Sequence, residues 1–300
     1  MVDTFDLPIY TIDAFTDEPF CGNPAAVCLV PYGKNLSEEK LQKIASEMNL
    51  SETAYIEHLE TATMESSYKT SNEFKLRWFT PTNEVPLCGH ATLASAATLF
   101  FCANNSSDAI TFHSKSGPLI ARRNGEGITL DFPINPVQPY DRQKVTSLIK
   151  EICDPALVED VVYSSGTRKL LIRLKDSTTR EELESLSPDT RALQASDTSG
   201  DIKGVIVTIK GRESIIDKSG KPYNFISRYF APWNGIPEDP VTGSAHTVLA
   251  DYWNKQLGRD EFYARQCSKR GGELIVKKVK AGRVELTGRA RVVLTGTLKL

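Results

Sequence analysis

The sequence repeats a short motif about half a chain apart. The segment Arg77-Trp-Phe-Thr-Pro-Thr-Asn83 recurs as Arg228-Tyr-Phe-Ala-Pro-Trp-Asn234, and the four shared residues keep an offset of 151 positions (77 to 228). Soon after each copy a glycine opens a stretch of small residues, at Gly89 and at Gly243, now 154 positions apart (89 to 243). Matches that keep their order predict two half-chains of similar fold.

A third pair of segments follows the same register. Ser114-Lys-Ser-Gly117 recurs as Ser268-Lys-Arg-Gly271, again at an offset of 154 (114 to 268). The change of offset places three extra residues in the second copy, between Asn234 and Gly243. We expect the first domain to comprise residues 1–132 with 289–300, and the second to comprise residues 133–288, with the proline-rich segment 133–139 between them.

The two halves share an order of elements. Strands rich in Ile, Val, Tyr and Phe are expected at 8–15, 25–30, 52–58 and 73–79. Ser37 can cap a helix whose apolar face recurs at Leu41, Ile44, Ala45 and Met48. Residues 90–101 are small or apolar nearly all round, so this helix and its partner at 244–257 should be buried. Asn124-Gly125 predicts a hairpin turn. The pattern predicts an α+β fold.

Composition excludes several classes of protein. With 36 basic and 38 acidic residues, the chain has a net charge of -2 and lacks the basic excess of a nucleic-acid binder. The longest apolar run, residues 25–30, is too short to cross a membrane. No basic start leads into an apolar stretch, so we expect a cytoplasmic protein whose six cysteines are reduced. The four histidines lack metal-ligand spacing, so no metal site is expected.

The two buried helices both start after a loop of glycine and small polar residues, 87–92 and 240–246. A helix start exposes unpaired N–H groups, which suit an anion such as a carboxylate. An ordinary capped helix explains either loop alone, but their duplication favours a pair of anion-binding starts. We expect the two loops to frame a substrate cleft between the halves.

Four side chains near these loops can carry chemistry. In a strand, Glu52 would share the face of its apolar neighbours, opposite Ser51, and burial without a charged partner would raise its pKa. A strand-edge glutamate in water is the alternative. Asp239 is either a helix-entry carboxylate or a site acid, and His90 either a cap or an acid–base group. Cys88 is either an activated thiol or a packed apolar side chain.

These residues lie in motifs that resemble the phenazine biosynthesis PhzF-like family over essentially the whole chain. The matching segments are Asp13-Ala-Phe15, Gly22-Asn-Pro-Ala25, Met48-Asn-Leu-Ser-Glu-Thr53, Phe79-Thr-Pro81, Cys88-Gly-His-Ala-Thr92 and Glu238-Asp-Pro-Val-Thr-Gly-Ser-Ala245.

The resemblance implies the diaminopimelate epimerase-like fold, in which each of two pseudo-symmetric halves curls a mostly antiparallel sheet around a central helix. It implies isomerisation without a cofactor, in which a glutamate moves a proton between carbons of a small carboxylate substrate. Glu52 matches the catalytic glutamate, and His90 and Asp239 match further catalytic positions. The substrate-binding positions implied are Asn23, Cys88, Gly89, Thr242, Gly243 and Ser244. A homodimer is also implied.

The sequence departs from the related epimerases at one position. Those enzymes oppose two cysteines, but only Cys88 is present here, because the loop from Asp239 to Gly243 holds no thiol. A single-carboxylate proton shuttle by Glu52 therefore fits better than a two-thiol racemase. Two alternatives stay open: a catalytically silent scaffold or binding protein that retains the fold, and an epimerase that depends on Cys88.

Overall fold

The computed structural model describes residues 5–59, 67–280 and 282–300. The chain forms two compact units, one comprising Met1–Asp131 with Thr287–Leu300 and the other Phe132–Leu286. Each unit combines a mixed sheet with one long buried helix.

The first unit holds nine strands and two helices among the described residues. Its helices are α1 (Glu38–Met48) and α2 (Gly89–Ala97), and α2 continues as a π-helical turn over Thr98–Cys102. Its strands are β1 (Asp6–Ala14), β2 (Asn23–Leu29), β3 (Glu52–Glu57), β4 (Glu73–Phe79), β5 (Glu84–Val85), β6 (Ala109–Ser114), β7 (Gly117–Asn124), β8 (Gly127–Pro133) and β17 (Ala290–Lys299).

Sheet pairing in the first unit is mostly antiparallel, with two parallel steps. The β2–β3 pair and the β4–β6 pair are parallel. A parallel pair needs a crossover connection, and α1 and α2 supply these two connections. The strand β17 returns from the end of the chain to pair with β1.

Local sequence chemistry explains both helices. Ser37 caps α1 by accepting a hydrogen bond from the Lys40 N–H. The predicted apolar face of α1 packs on the sheet beside Tyr55. Every residue of α2 from His90 to Ala97 is buried. A helix of small residues allows this close enclosure, and its buried hydroxyls, such as Thr92 Oγ1, donate to backbone carbonyls one turn earlier.

The second unit has its own strands and helices. Its helices are α3 (Thr146–Ile152), α4 (Arg180–Ser185), α5 (Thr190–Ala195) and α6 (Gly243–Leu257). Its strands are β9 (Gln138–Pro139), β10 (Val158–Ser164), β11 (Lys169–Leu174), β12 (Gly204–Lys210), β13 (Phe225–Phe230), β14 (Glu261–Gln266), β15 (Gly272–Val279) and β16 (Arg283–Gly288).

The second unit repeats the order of the first. The pairs β11–β12 and β13–β14 are parallel, and helices again connect them: α4 and α5 in the first case, α6 in the second. The pairs β10–β11, β12–β13 and β14–β15 are antiparallel. The repeated motif falls on β4 in one unit and β13 in the other, directly before the loop that leads into α2 or α6.

Several sequence predictions are confirmed at this level. The four expected strands of the first half appear within two residues of their predicted bounds, and Gly125 at φ +59° forms the turn between β7 and β8. All six cysteines are free thiols. The predicted helix at 90–101 is α-helical only to Ala97, because its last turn widens to π-helix. Within the described ranges, no helix is long and apolar enough to span a membrane.

Candidate active site

Four side chains of the first unit converge where two strands and a helix begin. Asn23 opens β2, Glu52 opens β3, and Cys88 and His90 flank the start of α2. Because β2 and β3 are parallel, with Ala25 opposite Glu52, their first residues lie at one edge of the sheet. The fold therefore brings together residues that lie far apart in the sequence.

His90 is at the centre of this cluster and is 5% exposed. Its Nε2 lies 3.1 Å from Glu52 Oε2 and 3.3 Å from Ser51 Oγ. On the opposite edge of the ring, Nδ1 lies 3.2 Å from Asn23 Nδ2 and 3.4 Å from Cys88 Sγ. A half-turn of the Asn23 amide exchanges its oxygen and nitrogen, so Asn23 can accept a hydrogen bond from a protonated Nδ1.

Ser51 does not follow the sequence prediction. The strand begins at Glu52, so Ser51 precedes it and strand alternation does not separate the two side chains. Ser51 Oγ instead faces the same histidine ring and donates a 3.2 Å hydrogen bond to the Pro24 carbonyl.

The charges of Glu52 and His90 support each other. The Glu52 side chain is only 12% exposed, and burial alone would raise its pKa. The charge of His90 and polar contacts from His90, Ser51 and Cys88 outweigh that effect and hold the pKa of Glu52 below its ordinary value. The prediction of a raised Glu52 pKa is therefore wrong, because the fold supplies the charged partner that the sequence did not reveal.

The pKa of His90 moves in the matching direction. Burial lowers it, but the negative charge of Glu52 and the polar contacts that Glu52 and the Cys88 thiol make with the ring raise the pKa of the imidazole well above its ordinary value. Glu52 Oε2 has no well-aligned hydrogen-bond donor among the described residues, so its 3.1 Å approach to His90 is an ion-pair contact. The resting pair is a carboxylate beside an imidazolium: one proton acceptor and one proton donor.

Cys88 remains a thiol. Burial raises its pKa, and the neighbouring negative charge of Glu52 raises it further. His90 opposes both effects without reversing them. Because only a thiolate is an effective base, this environment does not activate Cys88.

Among the described residues, this cluster is the group whose ligand atoms most resemble a metal-binding site. One ligand atom each from Glu52, Cys88 and His90 lies within 4.8 Å of the other two. Spacing along the sequence could not reveal this cluster. Binding a metal ion here would require the loss of protons from both the thiol and the imidazolium, and that cost opposes binding at neutral pH. That the chain has no metal site stays a prediction.

The second unit holds the other predicted residues on the loop that leads into α6. Asp239 is 9% exposed and its Oδ2 accepts a 2.5 Å hydrogen bond from Thr242 Oγ1. Gln266 fixes the loop, because its Nε2 donates to the Asp239 carbonyl (2.6 Å) while its Oε1 accepts from the Thr242 N–H (2.9 Å). Gly243 is the first residue of α6, and the Ser244 side chain is exposed.

A buried histidine, His246, lies one turn into α6. Its Nδ1 donates a 2.8 Å hydrogen bond to the Thr242 carbonyl, and its Nε2 is buried without a hydrogen-bond partner in the described ranges. Burial lowers its pKa to about 4. His246 is therefore neutral at physiological pH and holds the loop from within the helix.

Comparison with known proteins identifies the family. A family model described as phenazine biosynthesis-like protein, PhzC-PhzF, matches residues 12–296. The chain belongs to the phenazine biosynthesis-like family. Phenazine biosynthesis-like domain-containing protein 1 of Mus musculus is 53% identical over 292 residues, which cover 97% of this chain and 99% of that protein. A protein of Halalkalibacterium halodurans named as an uncharacterized isomerase is 42% identical over 294 residues, with 98% of each chain covered.

Solved structures confirm the predicted fold of this family member. A PhzF-family protein of Enterococcus faecalis superposes with a TM-score of 0.80 at 36% identity, covering 99% of this chain and 100% of that one. A hydroxyproline epimerase of Agrobacterium vitis shares the fold at a TM-score of 0.51 and 10% identity, covering 98% and 93%. The α+β, duplicated, diaminopimelate epimerase-like fold is thus confirmed. The relatives named as isomerases support an isomerase- or epimerase-type function.

Sequence reasoning missed several residues around both loops. Gln266 closes β14, 27 positions after Asp239, and no local motif indicates its role. Lys169 and Tyr229 are buried near Asp239 and were also missed. Tyr229 does lie inside the repeated motif, at the place where the first copy has Trp78, so the repeat could have drawn attention to it.

Proposed function

We propose that this protein is an isomerase that works without a cofactor and moves a proton between carbons of a small carboxylate-bearing substrate. Glu52 is the proposed base. The observation that carries the proposal is the 3.1 Å pair of Glu52 with His90, in which the carboxylate is ionised while largely buried. A base must be ionised before it can accept a proton from carbon, and the lowered pKa of Glu52 keeps it ionised at neutral pH.

The partner groups have separate proposed roles. The imidazolium of His90 can supply a proton or stabilise negative charge that develops on the substrate. Asn23, which contacts the other edge of the ring, orients it. The N–H groups at the start of α2, which begins at Gly89, have no carbonyl partner earlier in the helix and suit a substrate carboxylate. In the second unit, Asp239, Thr242, Gly243 and Ser244 are the proposed contributors, by their match to the family's motif.

Proton exchange with solvent tests this function without knowledge of the product. The protein is incubated in D2O with a panel of small carboxylic and amino acids, and NMR follows the loss of C–H signals. We expect one class of acid to exchange with the wild-type protein and the Glu52→Gln variant to lose at least about 100-fold of the rate, since general acid–base groups contribute that much.

The matched control is Glu57→Gln, at the other end of the same strand, where the largely buried Glu57 side chain pairs with the half-exposed Lys75 at 3.1 Å. This variant should exchange at the wild-type rate. If Glu52→Gln retained the full rate, Glu52 would not be the base. If no acid exchanged at all, the silent scaffold would be the better interpretation.

A further inference from the structure

A buried lysine in the second unit has no counter-ion within hydrogen-bonding distance. Lys169 opens β11 and is 7% exposed. Among the described residues, no hydrogen bond or salt bridge reaches its Nζ, which lies 5.5 Å from the centroid of the Tyr229 ring and within the electrostatic influence of Asp239. Most of the side chain is removed from water, although Nζ is not one of the fully enclosed unpaired polar atoms of the described residues, and removing most of the water around an ammonium group is costly. Such a group calls for a functional explanation.

The backbone around Lys169 is arranged to hold Tyr229 beside it. Lys169 on β11 pairs with Gly204 on β12, and Ile206 two residues later pairs with Tyr229 on β13, so all three side chains and the Gly204 Cα hydrogens share one face. A Cβ at Gly204 would collide with the Tyr229 ring. Glycine at this position therefore lets the aromatic ring lie flat across β12 toward the lysine.

Tyr229 adds a second donor, its phenol hydroxyl. The residue is 5% exposed. Burial raises the pKa of Tyr229, as does the nearby charge of Asp239, so the phenol stays protonated. Its backbone carbonyl accepts a 3.1 Å hydrogen bond from the Asp239 N–H, which attaches the pair directly to the predicted site loop.

We propose that Lys169 and Tyr229 form an anion subsite beside Asp239, which binds a compact oxyanion of the substrate. The ammonium offers three donors and the phenol one, and a carboxylate or phosphate accepts from both. The charge of Asp239 prevents the subsite from being strongly cationic when empty, which fits a site that releases its ligand. The inference rests on the proposed function for the identity of the ligand, and it then requires a substrate with a second anionic group.

Binding of matched acids tests the subsite without catalysis. Succinate and butyrate have the same carbon chain but differ by one carboxylate, and inorganic phosphate distinguishes the two oxyanion types. Titration calorimetry of the Glu52→Gln protein removes turnover from the measurement. We expect succinate or phosphate to bind more tightly than butyrate. Lys169→Met should lower the affinity for that anion by about tenfold or more, the usual effect of losing a hydrogen bond to a charged group.

Two further variants complete the test. Lys175→Met removes an exposed lysine just after β11 and should leave the affinity unchanged. Tyr229→Phe removes only the hydroxyl, and it should lower the affinity for the same anion several-fold while the protein remains folded. Equal binding by wild type and Lys169→Met, or no binding of succinate and phosphate by the wild type, overturns the subsite. Failure of C–H exchange with intact Lys169-dependent binding would overturn only the proposed function.

Discussion

Arg228 donates to both carboxylate oxygens of Glu238, at 2.6 and 2.9 Å, and Arg77 does the same to Glu84, at 2.8 and 2.9 Å. The arginines belong to the repeated motif, and each glutamate precedes the loop into the buried helix of its unit. The three residues added to the second copy lie beyond Arg228, since Glu84 follows its arginine by seven positions and Glu238 follows by ten. The repeat therefore preserves a bidentate arginine–glutamate ion pair before each loop, and we call this ion pair the brace of that loop.

Loss of the Arg228 brace should destabilise the protein strongly. Arg228 is 7% exposed and also donates to backbone carbonyls at the end of α4, including the Leu183 oxygen at 3.1 Å. Arg228→Met leaves Glu238 and these carbonyls without their partner, so we expect about 3 kcal/mol less free energy of unfolding. Urea denaturation measures the change.

The matched variants separate this brace from general charge effects. Arg77→Met should cost less, about 1 kcal/mol, because Glu84 keeps Lys115 as a partner and the further hydrogen bond of Arg77 goes to the exposed Glu38 carboxylate rather than to backbone carbonyls. The exposed Arg259 is the surface control, and Arg259→Met should leave the denaturation midpoint unchanged. Equal losses in Arg228→Met and Arg259→Met would contradict the brace.

The pH dependence of proton exchange should reflect the Glu52–His90 pair. The pKa of Glu52 is lowered, so the base remains ionised down to below the ordinary carboxyl range, and the pKa of His90 is raised, so the acid persists well above pH 6.5. We expect a broad plateau of exchange rate through neutral pH. His90→Gln removes the positive charge, which raises the pKa of Glu52. The fall in exchange rate on the acidic side of the profile, which we call the acid limb, therefore moves to higher pH.

The half-exposed His113 provides the control for that profile. It pairs with Glu73 at 2.8 Å on the surface, so His113→Gln should leave both limbs in place. An acid limb that stays unmoved in His90→Gln would show that His90 does not set the charge state of the base.

Cys88→Ser distinguishes the carboxylate base from a thiol base. The Cys88 thiol is buried and its pKa is raised, so it contributes a polar contact to Glu52 rather than a thiolate. Serine keeps a donor in that position, and we expect the variant to retain most of the C–H exchange rate. A loss as large as that of Glu52→Gln would favour the Cys88-dependent epimerase instead.

Much of the fold was predictable because its signals are local. The Ser37 cap and the apolar spacing from Leu41 onward define α1, and the Asn124-Gly125 turn defines a hairpin. The duplicated order of elements follows from the repeated motif. Each of these signals lies within a few residues of the structure that it predicts.

The charge state of the site was not predictable for the opposite reason. Glu52 and His90 are 38 positions apart, and only the meeting of β3 with the start of α2 makes them partners. The direction of the Glu52 pKa depends on that partner, so reasoning from burial alone gave the wrong sign. Lys169 and Tyr229 are likewise joined only by the pairing of β11, β12 and β13.

The protein should lose stability in acid because of His246. Its pKa is about 4 in the folded state and 6.5 ordinarily, so the unfolded chain binds more protons between these values. Stability contributed by the neutral ring is therefore lost as the pH falls from 6.5 to 4, by about 3 kcal/mol in total. His246→Asn keeps a donor toward the Thr242 carbonyl but does not titrate. Between pH 6.5 and 4, the melting temperature of the variant should fall less than that of the wild type. An equal fall in both proteins would contradict the role of His246 in the loss of stability.

The buried ammonium group of Lys169 should lower the free energy of unfolding at neutral pH. Burial lowers its pKa to about 8 from the ordinary 10.5, so below pH 8 the native state carries an ammonium that the unfolded chain solvates better. The unfolded chain binds more protons between pH 8 and 10.5, so this penalty, about 3 kcal/mol, is relieved as the pH rises through that window.

Lys169→Met removes the penalty at neutral pH, and we expect its melting temperature at pH 7 to exceed that of the wild type. The difference should shrink as the pH approaches 10.5, where the wild-type amine is neutral in both states. Lys175→Met, with its exposed side chain, should match the wild type at every pH. A Lys169→Met protein that melted lower at pH 7 would mean that Lys169 stabilises the fold. A higher melting temperature with weakened anion binding is instead typical of a residue retained for function at the expense of stability.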